Sequence, residues 1–364
     1  MFINPLIVGV RQFSSWHDAE SPESVLYGLG NNTGNMMFTH SLVSSLKGAI
    51  WGSFAINHAD LEGRDAIVIA SANWVNSFED YGWLADRLEK TKLPVFLVGI
   101  GAQSTLDKAI PSVSSGTRRL LSLVADRSNF ISTRGPFSSM VLEQIGFKNS
   151  IPTGCPSLLL AGNLGPDIRV SEVVSYENCC IHATRHGFQY ANTNDSLLYK
   201  FALQNNIDII LQSETPDICF SQFSIPDDKN SDISYSALID SYGVNDLDII
   251  KVYLERHGKS FANIHNWLSY MKSRSFCFGT RIHGTIASIL AGTPALLIAT
   301  DSRTQELAEV MAIPHILQQE FNKLNYSDVD FLYRQFNWSD LSLNYANYRQ
   351  KFQHFFESNK LVLI

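Results

Sequence analysis

The sequence predicts an α/β protein of two doubly wound, parallel-sheet domains. Three observations carry that expectation. Ala66–Ala70 (AIVIA) and Val95–Ile100 (VFLVGI) are unbroken apolar runs, as parallel strands buried on both faces should be. Such runs alternate with segments of helical periodicity, the grammar of right-handed βαβ units. The chain has 364 residues, too many for one ordinary core and suited to two domains, 1–165 and 166–364.

Composition narrows the class. Apolar residues make up 45% and charged residues 17%, so the chain buries a core rather than remaining disordered. The formal charge is −7 with no basic run, which argues against nucleic acid as a partner. An anionic ligand must therefore be caught by a local cluster of cations. The five cysteines are odd in number, two are adjacent and none has metal-ligand spacing. They are expected as small buried hydrophobes in a reducing cytoplasm, with no metal or other cofactor. MFINPLIVGVRQF lacks a basic n-region and reads as a first strand rather than a signal peptide. No window is long enough to span a bilayer.

In order, Leu6–Val10 is the first strand. The polar stretch from Arg11 to Tyr27 reads as a long loop. Gly28 to Asn35 (GLGNNTGN) leads into a helix near Met36–Leu46. Its glycines and asparagines, Asn31 and Asn35 among them, suit positive φ and close approach of a ligand to backbone N–H groups. A flexible loop is the other reading. The spacing is not that of a dinucleotide fingerprint. The strand Val95–Ile100 ends in Gly101-Ala102-Gln103. Asn129–Ser132 is a further strand, followed by Thr133-Arg134-Gly135 and a helix opened by Pro136. The second series begins with Cys179–Ala183, ending in Thr184-Arg185-His186. Ile207–Leu211 follows, then a polar, irregular stretch from Gln212 to Tyr242. Helices are expected near Asn245–Arg256 and Ile264–Lys272. Ser302–Met311 reads as a helix with Ser302 and Gln305 in capping-box spacing. The aromatic-rich segment Tyr345–Ser358 reads as a closing helix that packs the domains.

Ser275–Asp301 organises the second half. It reads as strand, turn, helix, turn, strand, with Gly292 and Pro294 as the stop signal after the helix. Thr280, Arg281, His283 and Gly284 sit where the strand gives way to its helix. That is the ligand-binding end of an open α/β sheet and an electropositive spot. An arginine presents a rigid fork to phosphate or carboxylate, and a histidine donates protons near neutrality. A site with two arginines and one histidine suits a small dianion that is protonated in the transition state. A salt-bridged, helix-capping pair is the other reading of Arg281 and His283. Asp301 with Glu309 could hold a sugar, or Asp301 could cap a helix while Glu309 faces solvent. His182, inside a strand, reads as a hydrogen-bonded core residue.

These residues resemble the polysaccharide pyruvyl transferase family. Ser275–Gly284, with its Arg-x-His after an apolar strand, then Gly292-Thr293-Pro294 and Asp301-Ser302-Arg303, carry the similarity. Gly30–Asn35, Ile131–Arg134, Thr153–Leu158 and Thr184-Arg185 add weaker, ordered matches. The family's pattern usually has Asp where this chain has Asn35 and Cys155, and Lys where it has Arg303. The resemblance implies a GT-B-like fold: two Rossmann-like domains facing across a cleft, with the acceptor on the N-terminal side and the donor on the C-terminal side. It implies transfer of a pyruvyl group from phosphoenolpyruvate to a sugar of a surface polysaccharide, forming a ketal. Arg185 and Arg281 would hold the donor and His283 would act as general acid. Thr280, Gly284, Asn31, Asn35, Gln103, Arg134, Asp301 and Arg303 would complete the substrate site. A lipid-linked acceptor would bring the enzyme to the inner face of the membrane. The alternative implied by the fold is a glycosyltransferase using a nucleotide sugar. A binding protein that keeps the fold without chemistry is the third reading.

Overall fold

The computed structural model describes residues 1–103, 110–184, 195–223, 235–338 and 340–364. The first half contains strands β1 (Pro5–Val8), β2 (Ile50–Gly52), β3 (Ala66–Ala70), β4 (Val95–Val98), β5 (Ile131–Thr133) and β6 (Ser150–Pro152). The first four form a sheet in the order β2-β1-β3-β4, and β5 pairs with β6. Residue Ile100 joins the two: its N–H donates to Ser132 O at 3.0 Å, and its carbonyl accepts from Arg134 N–H at 2.9 Å. All of these pairings are parallel.

The second half contains β7 (Cys179–His182), β8 (Asp208–Leu211), β9 (Gly258–Ser260), β10 (Phe276–Gly279), β11 (Ala295–Ala299) and β12 (His315–Leu317). They form one parallel sheet in the order β12-β11-β10-β7-β8-β9. The winding reverses between β7 and β10, which makes their carboxyl ends the topological switch point where such sheets bind ligands. Gly279 ends β10 at φ 152°, and a Cβ there would stand 1.7 Å from the His182 carbonyl oxygen. Only glycine lets the ends of β7 and β10 lie so close.

The period of two along β1 and β3 divides the apolar residues between two faces. Leu6, Val8, Ile67 and Ile69 belong to a core under the helices Gly82–Leu88, Ser115–Arg127 and Pro136–Gln144. Ile7 and Val68 belong to a second core that continues through the helix Asn35–Ser45 into the second sheet. The last helix, Asp340–Ser358, ties the halves together with buried Tyr345, Tyr348, Phe352, Phe355 and Phe356. Tyr348 Oη donates to the Cys155 carbonyl at 2.6 Å, and Asn359 Oδ1 accepts from the N–H groups of Asn129 and Phe130. Leu361 then bridges Phe2, and Leu363 bridges Leu46.

Several local expectations differ from the structure. Residues 11–27 carry two short helical segments, Trp16–Asp18 and Pro22–Gly28, rather than only loop. The stretch from Gln212 to Tyr242 contains the helices Thr215–Gln222 and Ser236–Tyr242. The helix Ser302–Met311 is capped by Asp301 with Thr304, not by Ser302 with Gln305, because Asp301 alone keeps extended backbone. Strands β2, β6, β9 and β12 have only three residues each, too short to show periodicity. All five cysteines are free and buried. Among the described residues no helix is long and apolar enough to cross a membrane.

Replacing Tyr348 by Phe leaves a buried carbonyl without this donor. The Tyr348→Phe variant should unfold at lower urea concentration, by about 1–3 kcal/mol, with an unchanged circular dichroism spectrum. An unaltered midpoint would show that this bond does not hold the halves.

Candidate functional site

The strand ends at the switch point form a rigid platform. His182 is fully buried; its Nδ1 accepts from the Arg281 N–H at 3.0 Å, so its proton lies on Nε2, 3.3 Å from Thr285 Oγ1. This is the hydrogen-bonded core histidine expected from the sequence. Thr280 Oγ1 accepts from the Thr184 N–H at 2.9 Å and so staples β10 to β7. A Cβ on Gly284 would stand 2.5 Å from the His182 ring, so Gly284 serves that close packing.

Arg281 does not present a free fork. Its Nε donates to the Ala183 carbonyl at 3.0 Å, and its Nη2 to Ser213 Oγ at 2.5 Å and to the carboxylate of Glu214. Both side chains of this ion pair are buried. Glu214 also accepts from the N–H groups of Gln212 and Ser213, at 2.9 and 3.0 Å. Burying a guanidinium costs less when a carboxylate is itself buried against it, so the pairing holds both in place. Only Nη1 of Arg281 has no partner among the described residues. Arg185 and His186, expected from the sequence at the end of a strand, lie outside the described residues.

His283 stands where the halves meet. It is 6% exposed, with Nε2 3.6 Å from Cys155 Sγ and its ring 5.8 Å from that of Phe38. On its other side a Cβ on Gly34 would lie 2.5 Å from Nδ1, so only glycine fits there. Burial lowers the His283 pKa to about 3, helped by the nearby charges of Arg134 and Arg281. The imidazole is therefore neutral at physiological pH in this state.

Arg134 is the cation that differs from the rest. It is 8% exposed and held by two neutral oxygens: the Gly99 carbonyl at 3.1 Å and Asn73 Oδ1 at 2.7 Å. Among the described residues it forms no ion pair. Burial lowers its pKa, with Cys155, Arg303, Glu306 and Asp301 as its charged or ionisable surroundings. A desolvated guanidinium without a carboxylate partner is an anion site in waiting. Arg303, in contrast, is bonded to Asp301 at 3.0 and 2.5 Å. Burial raises the Asp301 pKa, but Arg303 and the Thr304 bonds outweigh it and hold the carboxyl below its usual range. Asp301 thus caps its helix, and Glu309 is exposed and accepts from Gln305 at 2.8 Å.

The glycine-asparagine loop has the expected backbone, with Gly30 and Asn31 at φ 64° and 59°. Asn31 is exposed, whereas the Asn35 carboxamide donates to the carbonyls of Leu29 and Gly30, both at 3.0 Å, and closes the loop on itself. Gln103 is anchored through its backbone N–H on Val75 O at 2.9 Å. The site thus gathers Arg134, Arg281 and His283, with Thr280 and Gly284 supporting them. Glu214 and Asn73 were not singled out in the sequence, although each stands in the polar residues that end a strand. Nor was Glu306, which accepts from the Ser138 N–H and Oγ, at 3.1 and 2.9 Å, across the seam. Nothing local marks it, because its partner is 168 residues away. Among the described residues no cluster of three or more His, Cys, Asp or Glu side chains could hold a metal ion.

Two doubly wound parallel sheets, with basic residues and a histidine at their shared seam, define a GT-B-like α/β protein. The family model described as polysaccharide pyruvyl transferase matches residues 23–302, and the chain belongs to that family. The match covers the Gly30–Asn35 loop, Arg134, Cys155, Arg281, His283 and Asp301. No curated protein matches the chain. A solved structure titled as the glycotransferase of kitacinnamycin is similar at 8% identity, over 99% of this chain and 97% of that one, with a TM-score of 0.31. The strand order, rather than this likeness, defines the fold.

The buried imidazole has a consequence for stability. Its pKa lies below the unfolded value of 6.5, so the unfolded chain binds more protons below that pH. Its contribution is neutral above about pH 6.5, and stability is lost as pH falls from there toward 3. Relative to His283→Gln, the wild-type protein should lose up to about 1.4 kcal/mol per pH unit between pH 6 and 4 in urea titrations. Parallel losses in the two proteins would mean that His283 is not held neutral. Gly34→Ala should destabilise the protein by about 1–3 kcal/mol through overpacking against the same ring, read as a lower Tm.

Proposed function

We propose that the protein transfers the pyruvyl group of phosphoenolpyruvate to a sugar of a polysaccharide or its precursor, forming a pyruvate ketal. The observation that carries this reading is a buried guanidinium, Arg134, that has no carboxylate partner among the described residues and whose charge acts on His283 at the seam of the two halves. The donor lies at the seam, with Arg134 contributed by residues 1–165 and Arg281 and His283 by residues 166–364. The donor's phosphate and carboxylate pair with Arg134 and with the Nη1 edge of Arg281, and Arg185 is the third cation assigned to the donor.

Binding of such an anion changes His283. The two guanidinium charges that depress its pKa are then compensated, so the pKa rises and the imidazole takes up a proton. The donor thereby arms its own acid. His283 protonates the methylene carbon, which leaves an oxocarbenium-like centre at C2. One sugar hydroxyl attacks that carbon, and the C2–O bond to phosphate breaks with its electron pair leaving on phosphate. A second hydroxyl closes the ketal, and the hydroxyl protons pass to phosphate and to the site. The donor reaches this position only if the Gly34 loop moves off the imidazole. Where the acceptor is lipid-linked, the protein works at the inner face of the membrane.

Thermal shift with phosphoenolpyruvate tests the reading. Ligand that binds only the folded state raises Tm by mass action. Arg134→Gln should weaken binding about 10- to 100-fold, the worth of a charge-assisted hydrogen bond, judged against that variant's own Tm. Calorimetry in buffers of different ionisation enthalpy should show proton uptake on binding that is lost in His283→Gln. Stabilisation by nucleotide sugars alone would sink the pyruvyl reading in favour of glycosyl transfer.

A further inference from the structure

A hollow separate from the charged cluster opens along the same seam. Its volume is about 540 Å3, within the roughly 300–1,000 Å3 typical of ligand sites. Gln12, Phe13 and Ser14 wall it from the loop after β1, and Asn263, His265 and Asn266 from the segment after β9. His40 lines it from the helix Asn35–Ser45. The loops that follow β1 and β9 leave the carboxyl ends of parallel strands, the side of each sheet that binds ligands.

The lining defines the guest. None of the described lining residues is Asp, Glu, Lys or Arg. A phosphate or carboxylate would find neither guanidinium nor ammonium there. Imidazoles and carboxamides instead both donate and accept hydrogen bonds, as a ring of hydroxyls requires. Two of these groups hold the wall itself: Gln12 Oε1 accepts from the Ile264 N–H at 3.1 Å, and Asn263 Nδ2 donates to the Ser14 carbonyl at 2.8 Å. The side chains of His265 and Asn266 are exposed and have no partner among the described residues. A second hollow of about 360 Å3 shares Ser14, Asn263 and Asn266 and continues past Trp16, Lys259 and Phe261, so the two form a groove; the one ammonium on its described lining, Lys259, donates to the Arg256 carbonyl at 2.5 Å and stands 4.0 Å from Asp208.

We propose that this groove is a glycan-acceptor subsite, seating an uncharged sugar residue on His265, Asn266 and His40 and the next residue of the glycan beside Trp16 and Phe261. It rests on the reading of the chain as a transferase acting on polysaccharide, and adds the acceptor's charge and position. Saturation-transfer NMR on the full chain, with uncharged methyl glycosides and disaccharides of hexoses and N-acetylhexosamines, reads binding without turnover. At least one disaccharide should bind, and His265→Ala and Asn266→Ala should each weaken it about tenfold while leaving the phosphoenolpyruvate thermal shift unchanged. Both side chains are exposed, so the variants should fold. The subsite is overturned if no uncharged glycoside binds, if binding survives both substitutions, or if inorganic phosphate proves to be the ligand these variants lose. Glycoside binding without phosphoenolpyruvate binding would sink the donor reading and keep the subsite; the reverse would sink the subsite alone.

Discussion

An imidazole kept out of water in the field of two guanidinium groups is the constraint on which the rest of this site turns. His283 has Cys155 on one ring nitrogen and Gly34 against the other, and the charges of Arg134 and Arg281 act on it together. Burial and the two arginine charges disfavour the imidazolium, so the resting site is a neutral base in a cationic pocket. Such an arrangement is costly unless an anion arrives. Once the Gly34 loop has moved off the imidazole, anion binding and protonation are linked through one electrostatic field.

The three arginines near the seam divide by their partners. Arg281 and Arg303 face Glu214 and Asp301, and their charge is compensated within their own half. Arg134 rests on a carbonyl and a carboxamide, which orient the guanidinium without neutralising it. A buried ion pair fixes geometry, whereas a buried cation on neutral oxygens keeps its appetite for a ligand. The halves are held together by other means. Glu306 bonds to the first turn of the helix Pro136–Gln144, where a carboxylate suits the helix dipole. Gly135 lets it approach, since a Cβ there would stand 1.9 Å from Glu306 Cγ. The aromatic closing helix adds a broad apolar contact, with Tyr348, Phe352, Phe355 and Phe356 all buried.

Much of the fold was legible in the sequence, because strands buried on both faces must be apolar throughout. AIVIA, VFLV and ALLIA emerge as β3, β4 and β11 for that reason. The helix Ser302–Met311 was read with its cap one residue too late, and the closing helix, read from its aromatic residues as Tyr345–Ser358, begins earlier, at Asp340. The three-residue strands β2, β6, β9 and β12 were not legible, since pairing with a neighbour, rather than propensity, makes them strands. The short helices within 212–242 were hidden because each spans only about two turns and their buried faces include polar residues, Asp217 and Ser241.

The sequence by itself determined that Arg281 and His283 stand at the carboxyl end of a parallel strand, since the apolar run, the turn and the helix stop around them are all local. Tertiary structure decided which cation is compensated. Glu214 reaches Arg281 from the end of β8, 67 residues away, and Gly34 and Cys155 close on His283 from the other half. Charge pairing and desolvation depend on distance in space, and the chain order does not record that distance.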